Sequence, residues 1–150
     1  MSPWMVVVMM VVSGGVMAFQ APINHALKTQ VGIFESSLIS FSVGTLALIL
    51  IVALTRAGNL GNVRNASWWH LLGGLIGALF VTATLLAAPK IGVTGMMVAG
   101  LSGSMAMALA IDRFGWVGMP AKPLDLHRVA GVVLLAAAMI LINWNTGKRA

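Results

Sequence analysis

The sequence predicts an all-α integral membrane protein, a bundle of five transmembrane helices, and three observations carry that expectation. Of 150 residues, 59% are hydrophobic and 8% charged, and the mean hydropathy is +0.98, more apolar surface than a water-soluble domain of this length can hide. The apolar residues fall into runs of about 17–25, the length that crosses a bilayer as a helix. The breaks between runs hold turn formers and most of the charge. The runs are 3–27, 33–55, 68–88, 92–111 and 128–144, within a single transmembrane domain over residues 1–150.

The first run is uniformly apolar only to Phe19 and continues through "QAPINHAL" with a kink at Pro22, where a backbone donor is missing. Its opening, "MSPWMVVVMMVVSGG", lacks the basic stretch of a secretory leader and reads as a retained helix. At 100° per residue, Ser13, Met17, Gln20 and Asn24 share one stripe. Amides in a membrane helix face a protein interior or a water-filled cavity, so this stripe is a candidate polar lining. The same amides would also serve to replace hydrogen bonds lost at Pro22 or to join helices.

The second helix opens with Glu35, an acid favoured by the helix dipole in a first turn. Ser36, Ser40, Gly44 and Ala47 form a small-residue stripe suited to close packing. The third begins at "NASWWH", where Trp68 and Trp69 anchor the interface beside His70. His70, Gly73, Gly77, Thr84 and Ala88 share a face, and the Gly73-x-x-x-Gly77 pair permits near contact of backbones. The fourth carries Gly95, Ala99, Gly103, Ala106 and Ala110 on one face, with Ser104 and Asp112 roughly opposite. It ends at "AIDRFG", where Asp112 lies at the negative end of a helix and needs a cationic partner. Arg128, at the head of the fifth helix, is the nearest candidate, and a structural ion pair that fixes helix ends is the reading adopted. The fifth ends at "NWNTGKRA", with Trp144 at the interface.

Five crossings put the termini on opposite sides. One side then holds Arg56, Arg64, Arg113, Lys122 and Arg128; the other holds Lys28, Lys90, Lys148 and Arg149. Orientation follows an excess of Lys and Arg on the cytoplasmic side, and five against four gives almost none. The expectation is insertion in both orientations and an antiparallel homodimer, a ten-helix assembly like the inverted repeats of secondary transporters.

Several functions are excluded. With no cysteine there is no disulfide and no thiolate chemistry. No metal-ligand spacing, phosphate loop or Ser–His–Asp set occurs, and the three acids are too sparse to point to a carboxylate dyad, so no enzyme, catalytic residue, metal or cofactor is expected. The net charge of +6 belongs to loops that meet lipid headgroups, not to nucleic acid.

Taken in order, "FQAPINHAL", "SLISFSVGTLALI", "WWHLLGGLIGALFVTA", "PKIGVTGMM" and "AIDRFGWVG...HRVAGVVLL" resemble the five-helix YdcZ-type branch of the drug/metabolite transporter (DMT) superfamily. The resemblance runs from about residue 15 to 142. It rests on Gln20, Asn24, Ser40, Phe41, Gly44, Trp69, Gly73, Gly74, Gly77, Pro89, Gly92, Asp112, Phe114, Gly115 and Arg128. It implies a multi-pass bacterial inner-membrane protein related to ten-helix transporters and to the small multidrug resistance exporters. Two positions depart from the branch: Gly103-Ser104 stands where a Gly-Gln pair is usual, and His25 where a basic residue often follows the matched asparagine. The membrane-embedded glutamate of the small multidrug resistance exporters has no counterpart, because residues 3–24 contain no acid.

The expected function is therefore secondary transport of a small polar or amphipathic metabolite or organic ion, by alternating access through a cavity at the dimer interface. The candidate substrate-binding residues are Ser13, Gln20, Asn24, Ser40, Trp69, His70, Thr84 and Ser104; the packing residues are Gly44, Gly73, Gly77, Gly95 and Gly103. Partners would be the lipid bilayer, the substrate, and a second copy or a paralogue. A dual-topology ion channel, or a subunit of a hetero-oligomeric transporter, would share these features.

Overall fold

A computed structural model describes residues 2–144; Lys148 and Arg149, two of the basic residues weighed above, lie outside that range. The described residues form five helices: α1 (Pro3–Ala18), α2 (Gln20–Val31), α3 (Ile33–Thr55), α4 (Leu72–Phe114) and α5 (Leu126–Asn143). Short 3₁₀ turns at Leu60–Asn65, Trp68–Leu71 and Trp116–Gly118 occupy the connections. No strand is present among the described residues.

The first long segment breaks at Phe19, three residues before the expected kink at Pro22. Pro22 has no N–H to offer the Ala18 carbonyl, and its ring crowds that carbonyl, so the strain is relieved at residues 18–19. The Phe19 N–H turns to the Val16 carbonyl (3.1 Å) instead. The helix then resumes and runs to Val31, beyond the expected end at residue 27. There Gly32 takes φ 104° and ψ 168° and is the only residue between α2 and α3. Such a backbone is almost closed to residues with a Cβ, so this glycine is what permits so short a connection.

Gly92 adopts nearly the same conformation, φ 74° and ψ 164°, inside α4. Pro89 lies just before it, and together they divide α4 into residues 72–91 and 93–114. At about 1.5 Å per residue each part is about 30 Å long, one hydrocarbon thickness. Four continuous spans pass the length and composition criteria for crossing a membrane. The Gly92 break divides the longest, Trp68–Phe114, into two parts, each of the length expected for one crossing.

The chain divides into two compact units, Met1–Leu86 and Ala87–Ala150. In the first, α2 packs on α3, and Phe41 of α3 lies against Gly77, where a Cβ would stand 3.4 Å from its ring. In the second, Asn143 of α5 lies against Gly95 of α4. The buried apolar residues are Ala21, Val81, Leu85 and Met96, and the buried polar ones Asn24, Ser36, Ser37 and Ser102. A core as polar as it is apolar suits a chain in lipid, where burying apolar groups brings helices no advantage over leaving them in hydrocarbon. The large apolar side chains instead point outward, from Trp4 (78% exposed) to Leu54 (75%) and Leu134 (69%).

Candidate functional site

The densest polar group in the first unit surrounds Asn24 on α2, eight residues before Gly32. Ser36 and Ser40 lie four and eight residues after it on α3, so the turn at Gly32 brings them alongside. The Ser36 hydroxyl donates to the Asn24 carbonyl (2.9 Å), and the Ser40 hydroxyl donates to Asn24 Oδ1. Ser37 contacts the Thr82 hydroxyl at 3.1 Å and its own Ile33 carbonyl at 3.1 Å. Thr82 also reaches the Ala78 carbonyl (2.9 Å). Two hydroxyl hydrogens serve these three contacts, so the donor direction between α3 and α4 can reverse without any side chain moving.

One atom in this group is unsatisfied. Asn24 Nδ2 is buried and has no hydrogen-bond partner, in a residue only 4% exposed. A buried donor left unpaired costs about 1–3 kcal/mol, so the amide presents an unmet demand for an acceptor. His25 Nδ1, on the next residue, is buried and unpaired as well.

One helical turn further along α2, the Lys28 ammonium donates to the Leu85 carbonyl of α4 (2.8 Å). That carbonyl would ordinarily accept from the N–H of residue 89, and residue 89 is proline. A side chain from another helix therefore supplies the missing donor. Leu85 is fully buried, so the substitution matters: no water is at hand to do the same.

The remaining candidates lie elsewhere. Ser13 and Gln20 are exposed on the first two helices, and the break at Phe19 interrupts the helical phase that aligned Ser13 with Asn24. Trp69 and His70 are exposed, with ring centroids 3.7 Å apart and planes tilted by 47°. Thr84 bonds within its own helix, to the Val81 carbonyl (2.7 Å), and Ser104 likewise to the Leu101 carbonyl (3.0 Å). Of the glycines, Gly77 and Gly95 meet Phe41 and Asn143, whereas a Cβ added at Gly44, Gly73 or Gly103 would meet open space.

In the second unit, Arg128 Nη1 lies 3.1 Å from Asp112 Oδ2, and the Lys122 N–H donates to the Asp112 carbonyl (2.7 Å). The intervening loop is tightly turned, with Gly115, Val117 and Gly118 all at positive φ. Asp125 caps α5 by accepting from the His127 N–H (3.2 Å). Further along, Asn143 Nδ2 donates to the Met139 carbonyl (3.0 Å) and more weakly to Gly95 (3.4 Å). Its Oδ1 is buried without a partner. Among the described residues no group of His, Cys, Asp or Glu converges as metal ligands do.

Polar groups sparsely placed among broken, lipid-length helices can recognise a small molecule and can rearrange; among the described residues no nucleophile, base and orienting group stand together. Residues 5–141 match the family described as "Putative inner membrane exporter, YdcZ". The chain belongs to this family. It is a multi-pass protein of the inner membrane and a membrane transporter by family. Neither the curated proteins nor the solved structures include a match to it.

Within this YdcZ family member, three partners of the polar groups escaped the sequence reading. Lys28 counted only as a loop charge, although Pro89 announces an orphaned carbonyl four residues earlier. Thr82 counted for less than Thr84 two residues on, and Asn143 counted only as the start of the interfacial "NWNTGKRA"; their signal is that each is a polar side chain inside an otherwise apolar helix.

Proposed function

We propose that the protein is a small secondary transporter, working as an antiparallel homodimer, that moves a small polar or amphipathic metabolite or organic ion by alternating access. The observation that carries this reading is the buried, unpaired amide donor of Asn24, held by Ser36 and Ser40 beside a helix break. A donor that no described residue satisfies is a place for a substrate acceptor. Because it is closed off from the surface, it becomes reachable only when α2 and α3 part, which is the movement alternating access requires. Gly32 and Gly92, each a single-residue joint between helices, are suited to absorb such movement.

The open faces at Gly44, Gly73 and Gly103 support a second copy as the partner, since small residues let helix backbones approach closely in lipid. The near balance of loop charge supports its antiparallel placement. Recognition and movement are the whole of the chemistry in this reading.

The test is a thermal-shift screen of the purified dimer against metabolites and organic ions, followed by Asn24→Ala and Ser40→Ala. A ligand that binds the folded state raises its apparent stability. Loss of one neutral hydrogen bond to the ligand, about 0.5–1.5 kcal/mol, should weaken binding by roughly 2- to 10-fold in Asn24→Ala. Unchanged affinity in both variants, with only a lowered melting temperature, would make the group purely structural.

A further inference from the structure

The second unit contains a pocket of about 590 Å³ between the end of α4 and the start of α5, within the size range of small-molecule sites. Its chemistry is graded. Asp112, Lys122 and Arg128 stand at the loop end. Met105 and Leu109 on α4 and Val132 and Leu135 on α5 line the remainder, reaching two turns, about 10 Å, from the charged end.

The charges do not cancel. Arg128 is paired with Asp112 (3.1 Å) and Asp125 with His127 (3.1 Å). These are the ion pairs among the described residues, and neither includes Lys122. The backbone of Lys122 is nonetheless fixed, because its N–H is bonded to the Asp112 carbonyl (2.7 Å) and a Cβ on Gly115 would stand 3.2 Å from Ala121. A lysine whose backbone is anchored and whose ammonium has no ion-pair partner among the described residues thus stands at the charged end of an apolar slot. Gly131 lines the slot too, and a Cβ there would meet no atom within 4 Å, so a large side chain at that position has open slot to grow into.

From this arrangement we infer a binding site for an amphipathic anion, with a phosphate or carboxylate head at Lys122 and an apolar chain running between α4 and α5. The loop lies at headgroup depth in the five-crossing topology, so the anion is either a membrane phospholipid or a free single-chain solute. The site shares no residue with the Asn24 group, and its test reads binding alone, so it stands or falls independently of transport.

The protein is reconstituted in phosphatidylcholine nanodiscs, and binding of octyl phosphate and of octylammonium is measured by calorimetry. Octyl phosphate should bind and octylammonium should not. Lys122→Gln should weaken octyl phosphate at least about 10-fold, in line with loss of a charge-assisted contact, and Lys122→Glu should reverse the preference. Gly131→Leu should abolish binding by filling the slot. Equal binding of the two amphiphiles, or wild-type affinity in the Lys122 variants, would overturn the site; those variants alter an exposed side chain, so the conclusion does not depend on Gly131→Leu folding. Repeating the titration with phosphatidylglycerol in the disc separates the sources. Competition identifies a lipid as the occupant, and unchanged affinity identifies a free solute.

Discussion

Lys28 on α2 and Leu85 on α4 are joined by a hydrogen bond of 2.8 Å, and the carbonyl that accepts it is the one Pro89 leaves without a helical donor. The proline and the lysine are therefore one device: the first opens a backbone acceptor inside a membrane helix, and the second closes it from a neighbouring helix. Lys28→Met should lower stability by about 1–3 kcal/mol, the cost of a buried unpaired polar group. Pro89→Ala restores an N–H at residue 89, so it should relieve most of that cost in the double variant. Unfolding in detergent measures the cycle, and strictly additive effects would dissociate Lys28 from the proline.

Glycine at position 32 should be irreplaceable where glycine at 44 is not. Gly32→Ala forces a Cβ onto φ 104° and should cost about 1–3 kcal/mol. Gly44→Ala lies mid-helix with open space at its Cβ and should gain about 0.5–1 kcal/mol for the isolated chain. If Gly44 faces a second copy, a larger change such as Gly44→Leu should dissociate the dimer while leaving the helical content intact. Size-exclusion chromatography with light scattering, together with circular dichroism, distinguishes these outcomes.

The Asp112–Arg128 pair is half-exposed, with side-chain exposures of 32% and 49%. Its coupling should be correspondingly small, about 0.2–1 kcal/mol. The double variant Asp112→Asn with Arg128→Gln should cost less than the sum of the single changes by that amount. A stable Asp112→Asn protein that binds ligand and fails to transport would move Asp112 from clamp to coupling residue.

Orientation is tested with single cysteines, which the native chain lacks. Placed at Asn59 and at Gln30, both exposed and on opposite sides in the five-crossing topology, each should be labelled only in part by an impermeant thiol reagent on intact cells. Complete labelling at one position and none at the other would establish a single orientation.

The helices were legible because span length is imposed by the bilayer and shows as uninterrupted apolar runs. Their joints were partly legible. "PKIG" announces a break, and Pro89 and Gly92 deliver it, but Pro22 acts three residues upstream of itself, since a proline disturbs the carbonyl four residues earlier. Asp112 was traceable to Arg128 because a loop of known length returns the chain to the same end. Lys28 was not traceable to Leu85, because that contact depends on the register of α2 against α4, which periodicity does not record. Gln20 and Asn24 look alike in sequence; only the position of α3 buries one and leaves the other on the surface.

The central claim is carrier transport, and counterflow in proteoliposomes tests it most directly. The vesicles are loaded with an excess of the unlabelled compound that most stabilises the protein, and a trace of the labelled compound is added outside. A carrier with alternating access predicts transient accumulation of label above equilibrium, saturation with rising external ligand, and loss of both in Asn24→Ala. Label that only equilibrates, at a rate proportional to concentration without saturation, would mean a channel and would contradict the account.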